Sequence, residues 1–273
     1  MSVREALSDA AKRLSATSPS PARDARALVA FAMDLPADRL SLEPDAPLSQ
    51  AAQERLETAL AERLRHRPIA QIIGTRLFWG RAFEVTSDTL DPRPETETLI
   101  ELALRRPYHR VLDLGTGTGC IALTLLAEQP KATALATDLS QPALEVEARS
   151  ASKLGLSARC AFAQGSWWEP VDGRFDLIVS NPPYISASEM GALEPDVLNW
   201  EPHMALSPGG DGLAAYRLIA EGLTQHLEET GRALFEFGLR QGPRIADIFK
   251  AQGYQTLLHA DLDGRLRCIE VTA

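Results

Sequence analysis

Phe175-Asp176-Leu177-Ile178-Val179-Ser180 runs straight into Asn181-Pro182-Pro183-Tyr184, and this junction decides how the chain is read. A short apolar run bounded in this way is a buried strand, and the residues behind it project from its carboxyl end, where open α/β sheets place their ligands. Two consecutive prolines there can be neither helix interior nor central sheet, so they form a rigid, extended corner. The corner holds Asn181 and Tyr184 in fixed positions.

Strands and helices alternate on either side of it. Val111 to Leu114, Ala134 to Thr137, Ala161 to Gln164 and Arg232 to Phe237 read as strands; helices are predicted from Cys120, over Pro142 to Leu154, over Gly212 to His226 and over Gln241 to Ala251. Such alternation predicts a mostly parallel sheet covered by helices on both faces. Gln255 to Ala260 and Arg267 to Val271 have only a short turn at Asp263-Gly264 between them, so these closing strands are expected to pair antiparallel. Upstream the pattern changes. Val3, Ala6, Leu7, Ala10 and Leu14 fall at helical spacing; Ser20-Pro21 opens a second helix carrying Ala25, Leu28, Val29 and Ala32; Leu56, Leu60 and Leu64 stripe a third, which stops near Arg67 because Pro68 follows. Between the two regions, Phe78, Trp79, Phe83 and Val85 with Gly74 and Gly80 suggest a hairpin or a pair of short strands, and Asp91-Pro92-Arg93-Pro94-Glu95-Thr96-Glu97 leads into a helix ending near Leu104. The expected organisation is a helical domain over 1–70, a hairpin linker over 71–91 and a catalytic domain over 92–273. The leucine and alanine stripes of the first domain serve as its core; the sharper reading is that the domain also grips a protein substrate.

With 28 basic and 37 acidic residues the net charge is −9, which leaves no electrostatic footprint for bulk nucleic-acid binding. Cys120, Cys160 and Cys268 are odd in number and far apart, so neither a disulfide framework nor a metal ligand set is visible. Charges of both signs in the first fourteen residues suit no secretory or transit signal, and no apolar run approaches the roughly 20 residues that span a bilayer. A monomeric, cytoplasmic protein without a metal, a membrane or a stable nucleic-acid partner is expected.

Chemistry enters at two places. Asp113-Leu114-Gly115-Thr116-Gly117-Thr118-Gly119 lies between a strand and a helix, where glycines let the backbone turn tightly and come close to a ligand. A dinucleotide fingerprint would need glycine where Cys120 stands; G-x-G-x-G with an acid two places ahead resembles the S-adenosylmethionine loop of class I methyltransferases. Asp138 closes the next strand, where a carboxylate accepts from both ribose hydroxyls. The second place is the corner. An amide or aromatic amine nitrogen is a poor nucleophile because its lone pair is delocalised, so a pair of acceptors that takes both N–H groups fixes the nitrogen and aims it. The Asn181 side-chain oxygen and the Pro182 carbonyl are such a pair, and Tyr184 offers a flat wall for a planar group. Asn-Pro-Pro-Tyr after a strand resembles motif IV of methyltransferases acting on planar nitrogens, a set that includes DNA adenine, RNA guanine and protein glutamine enzymes. The motif alone does not choose among them.

The wider chain does. Arg67-Pro68-Ile69-Ala70-Gln71-Ile72-Ile73-Gly74, Phe78-Trp79-Gly80, Pro92-Arg93-Pro94-Glu95-Thr96-Glu97, the glycine loop, Asn181 to Ile185, Glu201-Pro202 with Ala205-Leu206, and Gly210-Asp211-Gly212-Leu213 together resemble the HemK-type (PrmC) glutamine methyltransferases over essentially the whole chain. That resemblance implies an α/β fold: a seven-stranded, mostly parallel, Rossmann-like class I methyltransferase sheet with an antiparallel last strand, behind a small helical domain and a β-hairpin linker. It implies S-adenosyl-L-methionine as cofactor, S-adenosyl-L-homocysteine as product, and class 1 peptide chain release factors as partners, methylated at the side-chain amide N5 of the glutamine in Gly-Gly-Gln. By the same resemblance Gly115, Thr116, Gly117, Thr118 and Gly119 line the methionine part of the cofactor, Asp138 holds its ribose and Trp167 lies against its adenine. Asn181 serves cofactor and substrate; Asn181, Pro182 and Tyr184 are the catalytic set, with Pro183 completing the glutamine pocket. Three departures stand out. Ser166 occupies the place of a common Asp, Trp168 competes with Trp167 for the stacking role, and Asp91 replaces an aliphatic residue, a change expected to affect only local packing. A base on a nucleic acid and a ribosomal-protein glutamine are the alternative substrates. His66, His109, His203, His226 and His259 lie outside both motifs and are given no role, since the methylated amide loses its proton to water.

Overall fold

In a computed structural model, which describes residues 1–273, the apolar runs become β1 (Thr75–Phe78), β2 (Arg81–Glu84), β3 (Arg110–Leu114), β4 (Thr133–Asp138), β5 (Cys160–Gln164), β6 (Phe175–Ser180), β7 (Leu227–Glu236), β8 (Gln255–Ala260) and β9 (Leu266–Thr272). Seven of them form one sheet in the order β5-β4-β3-β6-β7-β9-β8, and β9 alone runs antiparallel to its neighbours. The expected sheet and its reversed last strand are both present. Its central strands are mainly apolar because both faces are covered: Val111, Leu177 and Leu234 enter one core cluster, while their chain neighbours Leu112, Ile178 and Phe235 enter the other. Helices Glu97–Leu104 and Cys120–Glu128 pack in the first cluster, Ala214–His226 and Gly242–Ala251 in the second.

β1 and β2 make a two-stranded hairpin turned by Trp79 and Gly80, both at positive φ (49° and 72°). Paired positive φ values give the twist that a two-residue hairpin needs. The Trp79 amide donates to Glu97 Oε1 at 2.9 Å, tying this turn to the start of the next helix.

The chain divides into two units, Thr75–Leu193 with Glu201–Ala273, which contains the sheet, and Met1–Gly74 with Glu194–Trp200. The second unit is helical: Val3–Leu14, Pro21–Met33, Gln50–Leu64, Ile69–Ile73 and the short turn Pro195–Leu198. Ser2 and Glu5 form a capping box at the first helix, and Val3, Ala6, Ala10, Leu14, Leu28, Leu56 and Leu60 make the core. Arg63 is buried there between Asp24 (2.8 Å) and Asp196 (2.6 Å). Asp196 comes from the far segment, which a one-dimensional reading has no means of assigning to these helices.

Two connections matter for the site. β3 has β4 on one side and β6 on the other, so the chain leaves the sheet in opposite directions after β3 and after β6. The crevice at such a switch point is where doubly wound sheets hold ligands. The glycine loop follows β3 and the proline corner follows β6.

Candidate active site

The glycine loop is anchored from β4 and from below. The amides of Gly115 and Thr116 both donate to the Thr137 carbonyl, at 2.8 and 3.0 Å. Gly115 and Gly117 sit at φ +71° and +58° with open space where a side chain would be, so the bare backbone faces the cavity. Gly119 has a different job. It caps helix Cys120–Glu128 at φ +77°, and a Cβ there would fall 2.4 Å from Glu147 Cγ. Glu147 is fully buried against the loop, and burial pushes its carboxyl well above the usual range. Asp113 is likewise fully buried: its Oδ2 accepts from the Thr116 hydroxyl (3.0 Å) and the Ala122 amide (3.1 Å), and burial raises its pKa to about 7. Asp113 therefore braces loop and helix from beneath, and it already occupies one of the helix N-terminal amides that could otherwise face a ligand.

Asp138, the last residue of β4, faces the cavity. Its Oδ2 accepts from Gly117 N at 2.9 Å and its Oδ1 from Ser140 N at 2.8 Å. Burial raises its pKa, and these backbone donors work against that shift. Each oxygen keeps a lone pair, so the carboxylate is aimed and still able to accept from a diol.

The cavity is lined by Gly115, Thr116, Gly117, Thr118, Asp138, Trp167, Asn181 and Pro183, together with Thr89, Leu139, Pro202, Met204 and Ala205. Trp167 and Trp168 part company here. Trp167, at φ +47°, lines the cavity, whereas Trp168 stacks on His226 with ring centroids 4.9 Å apart and donates from Nε1 to the Leu218 carbonyl at 2.9 Å. Gly119, Pro182 and Tyr184 do not line it. Gly119 and Pro182 are buried. Tyr184 is half-buried with its carbonyl accepting from Gln241 Nε2 (2.8 Å) and its ring over Gly238, where a Cβ would come within 2.9 Å of Cδ2. Burial moves the Tyr184 hydroxyl far above its ordinary pKa, so it stays a neutral phenol.

At the corner, Ser180 Oγ donates to the Leu114 carbonyl and fastens β6 to β3 just below both loops. Asn181 then turns its Nδ2 to Thr96 Oγ1 at 3.3 Å. Its Oδ1 has no bond within the protein, and the residue borders the cavity.

Several wall residues carry no signal of their own in the sequence. Met204 and Leu139 are exposed apolar side chains that only the fold brings to the cavity. Asp91 was expected to affect packing alone; instead it lies buried in the cavity wall, 3.7 Å from Arg76 Nε, with a carboxyl pKa raised by burial. Arg93 reaches across to Glu201 with Nη2 2.8 and 2.6 Å from its two oxygens, which joins the Pro-Arg-Pro stretch to the segment that supplies Pro202, Met204 and Ala205.

The site now has three parts: a glycine loop, an aimed carboxylate, and an asparagine oxygen left open beside them. Residues 5–74 match the PrmC N-terminal domain and residues 87–211 the methyltransferase small domain. The release factor glutamine methyltransferase of Cereibacter sphaeroides is 54% identical over 98% of this chain and 98% of its own. The chain belongs to the release factor glutamine methyltransferases. The Rhodospirillum rubrum protein of that name is 41% identical over 91% of this chain and 78% of its own. Solved structures share the fold at much lower identity: a Pyrococcus furiosus methyltransferase superposes with a TM-score of 0.56 at 18% identity, covering 79% of this chain and 98% of that one. The catalytic domain of hMettl16, solved with an RNA hairpin, does so at 0.57 and 16%, covering 71% and 76%. These two likenesses speak for the methyltransferase sheet alone.

Proposed function

We propose that the cavity binds S-adenosyl-L-methionine and that the enzyme methylates the side-chain amide nitrogen, N5, of the glutamine in the Gly-Gly-Gln motif of class 1 release factors. Membership of the family supports the reaction. The observation that carries its assignment to this site is Asn181: its NH₂ is held by Thr96 while its Oδ1 is open at the cavity that Asp138 and the glycine loop also line.

The residues fit such a cofactor. Gly115 and Gly117 leave room for close approach, the aimed Asp138 carboxylate suits a ribose diol, and Trp167 offers a ring to the adenine. When bound, the cofactor supplies an electrophilic methyl on a sulfonium, whose C–S electron pair stays with sulfur in S-adenosyl-L-homocysteine. The chain's own task is alignment. Asn181 Oδ1 accepts one amide N–H group at the cavity, and the Pro182 carbonyl, beside the cavity rather than in its lining, takes the other once the glutamine enters the corner; the pair turns the nitrogen lone pair toward the methyl and strengthens as positive charge develops on nitrogen. Pro183 and Tyr184 complete the wall, Pro183 at the cavity and Tyr184 behind the corner. The surplus proton passes from the methylated nitrogen to water, so no strong base is required.

In the same reading residues 1–70 recognise the protein substrate, 71–91 link, and 92–273 catalyse, in a monomeric cytoplasmic enzyme with no stable nucleic-acid partner. No helix is long and apolar enough to cross a membrane.

The test is transfer of labelled methyl to purified release factor, to its Gln→Ala variant at Gly-Gly-Gln, to a ribosomal fraction and to DNA. Label on the intact release factor alone is expected; label on DNA or on a ribosomal protein instead of it would overturn the substrate assignment. The tryptophans give a second test. Trp167→Ala is expected to weaken cofactor binding about tenfold, as loss of one aromatic stack should, and to lower thermal stability less than Trp168→Ala, since it packs on the core without the hydrogen bond that Trp168 makes to Leu218. Trp168→Ala should leave cofactor binding nearly unchanged and lose about 2–3 kcal/mol of stability through the cavity it leaves against Gly222 and His226. Calorimetric titration and thermal unfolding of the pair check both.

A further inference from the structure

An asparagine amide is nearly symmetric in shape, and turning it by 180° exchanges its oxygen for its NH₂. Only one orientation serves the proposed reaction, because an NH₂ facing the substrate would meet another donor. Something in the protein must choose. The partner of Asn181 is Thr96 Oγ1, but a hydroxyl both donates and accepts, so Thr96 alone cannot decide.

What lies behind Thr96 can. β6 and β7 are parallel neighbours with Ser180 opposite Phe235, so one residue further on Asn181 and Glu236 leave the sheet side by side. Thr96, at the entrance to helix Glu97–Leu104, stands between them: it is 2% exposed, accepts from Asn181 at 3.3 Å, and its hydroxyl lies beside the Glu236 carboxyl, which it favours in the ionised form. Glu236 is itself 2% exposed, and its Oε2 has no hydrogen-bond partner. Its backbone is immobilised, with the carbonyl accepting from the Tyr216 hydroxyl at 2.7 Å and the residue paired with Cys268 on β9.

We infer that Thr96 and Glu236 are positioning residues for the methylation read above: an ionised Glu236 accepts the Thr96 proton, Thr96 must then accept from Asn181 Nδ2, and Asn181 Oδ1 is held toward the substrate. The chain of bonds has a single consistent polarity as long as Glu236 is a pure acceptor. Once Glu236 is protonated it can donate to Thr96, whose own hydrogen is then free for Asn181, and the amide loses its reason to keep its oxygen outward. Burial raises Glu236 to about 7, so this switch falls near neutral pH. The charged and titratable groups facing it are Arg267 and Cys268 on β9, Arg93 and Glu95 ahead of the helix, Cys120 at the start of the loop helix, Tyr216 on helix Ala214–His226 and Tyr184 on the corner; Arg267 and Arg93 favour ionisation and Glu95 opposes it. The sign follows: activity is present above the pKa of Glu236 and lost as the pH falls through it.

The inference rests on the amide-methylation reading for its consequence but not for its first measurement. Selective ¹⁵N NMR of the side-chain amides, in the enzyme alone, should show the Asn181 NH₂ titrating near neutral pH, and Glu236→Gln and Thr96→Val should each abolish that titration. With release factor as substrate, Thr96→Val is expected to lower kcat about tenfold to a hundredfold with KM little changed, and Thr96→Ser, which keeps the hydroxyl, to recover most of it. The acid limb of the wild-type kcat profile should vanish in Glu236→Gln. An Asn181 amide indifferent to pH and to both substitutions overturns the inference whatever the substrate proves to be. So does a Thr96→Ser enzyme as slow as Thr96→Val, which would assign Thr96 to packing. If the amide titrates as described while no release factor is methylated, the relay stands and the substrate assignment falls.

Discussion

Replacing Asn181 with alanine is expected to lower methyl transfer about 10²–10³-fold while leaving cofactor affinity within a few-fold of wild type. The rate effect is the size seen when one preorganised acceptor or donor is taken from a developing charge. Alanine removes the side-chain amide oxygen that the corner turns to the cavity, so the substrate amide keeps at most one fixed acceptor and its lone pair is no longer aimed. Cofactor binding survives because Asp138, Gly115 and Gly117 belong to loops anchored independently: Gly115 on Thr137 of β4, Asp138 on Ser140 and Gly117. Single-turnover kinetics alongside calorimetric titration separates the two quantities. A variant with near-normal turnover would remove the acceptor pair from the account.

Asp138→Ala is expected to do the opposite, weakening cofactor binding about 10²–10³-fold. Two effects combine. The ribose loses a charged acceptor, where each such hydrogen bond is worth about 1.5–3 kcal/mol. The amides of Gly117 and Ser140 lose theirs as well, so the glycine loop is no longer pinned at its midpoint. Asp138→Asn keeps one carbonyl oxygen, and should recover part of the affinity. At saturating cofactor the rate of Asp138→Ala should lie well above that of Asn181→Ala, because the corner is untouched. Equilibrium titration with S-adenosyl-L-homocysteine measures the affinity without turnover, and a change of less than about threefold would contradict the role given to Asp138.

The contrast between these variants reflects what one-dimensional reading can reach. β3, β4 and β6 are apolar because they are covered on both faces, and such runs are visible wherever turn residues bound them. Read from its composition β7 starts at Arg232, yet it begins at Leu227, which pairs with Phe175 of β6; Glu228, Glu229, Thr230 and Gly231 have no strand composition and fall in the register shift before Arg232 pairs with Leu177. In the site, Gly115, Gly117, Asp138 and Asn181 are legible because each stands at or just past the end of a strand at a spacing that chemistry requires. Gly119 belongs to the same motif but looks inward, since Glu147 fills the space a side chain would take. Trp167 and Trp168 are equivalent by composition, and only the left-handed backbone at Trp167 and the bond from Trp168 to Leu218 tell them apart. Thr96 was visible as part of a motif without a stated purpose. Its neighbours Asn181 and Glu236 follow and end strands far apart in sequence, and nothing short of the sheet register brings them together.

Asp91 shows the reverse case, where the sequence drew attention and local logic misjudged the outcome. A carboxylate in place of an aliphatic residue was expected to alter packing, but the segment before Pro92 runs along the cavity wall, so Asp91 is a buried acid beside Arg76 within that wall. The Arg93–Glu201 pair, with Glu201 almost fully enclosed, fastens this segment to the one bearing Met204. Breaking such a buried pair by removing one partner leaves an uncompensated charge, so both walls depend on it.

The measurement closest to the central claim is mass-spectrometric location of the methyl group on release factor treated with the wild-type enzyme and with Asn181→Ala. The account predicts N5-methylglutamine at the Gly-Gly-Gln glutamine with the wild-type enzyme and almost none with the variant. Methyl found on a carboxylate, a lysine or another glutamine, or an unchanged yield at the same glutamine from Asn181→Ala, would contradict it.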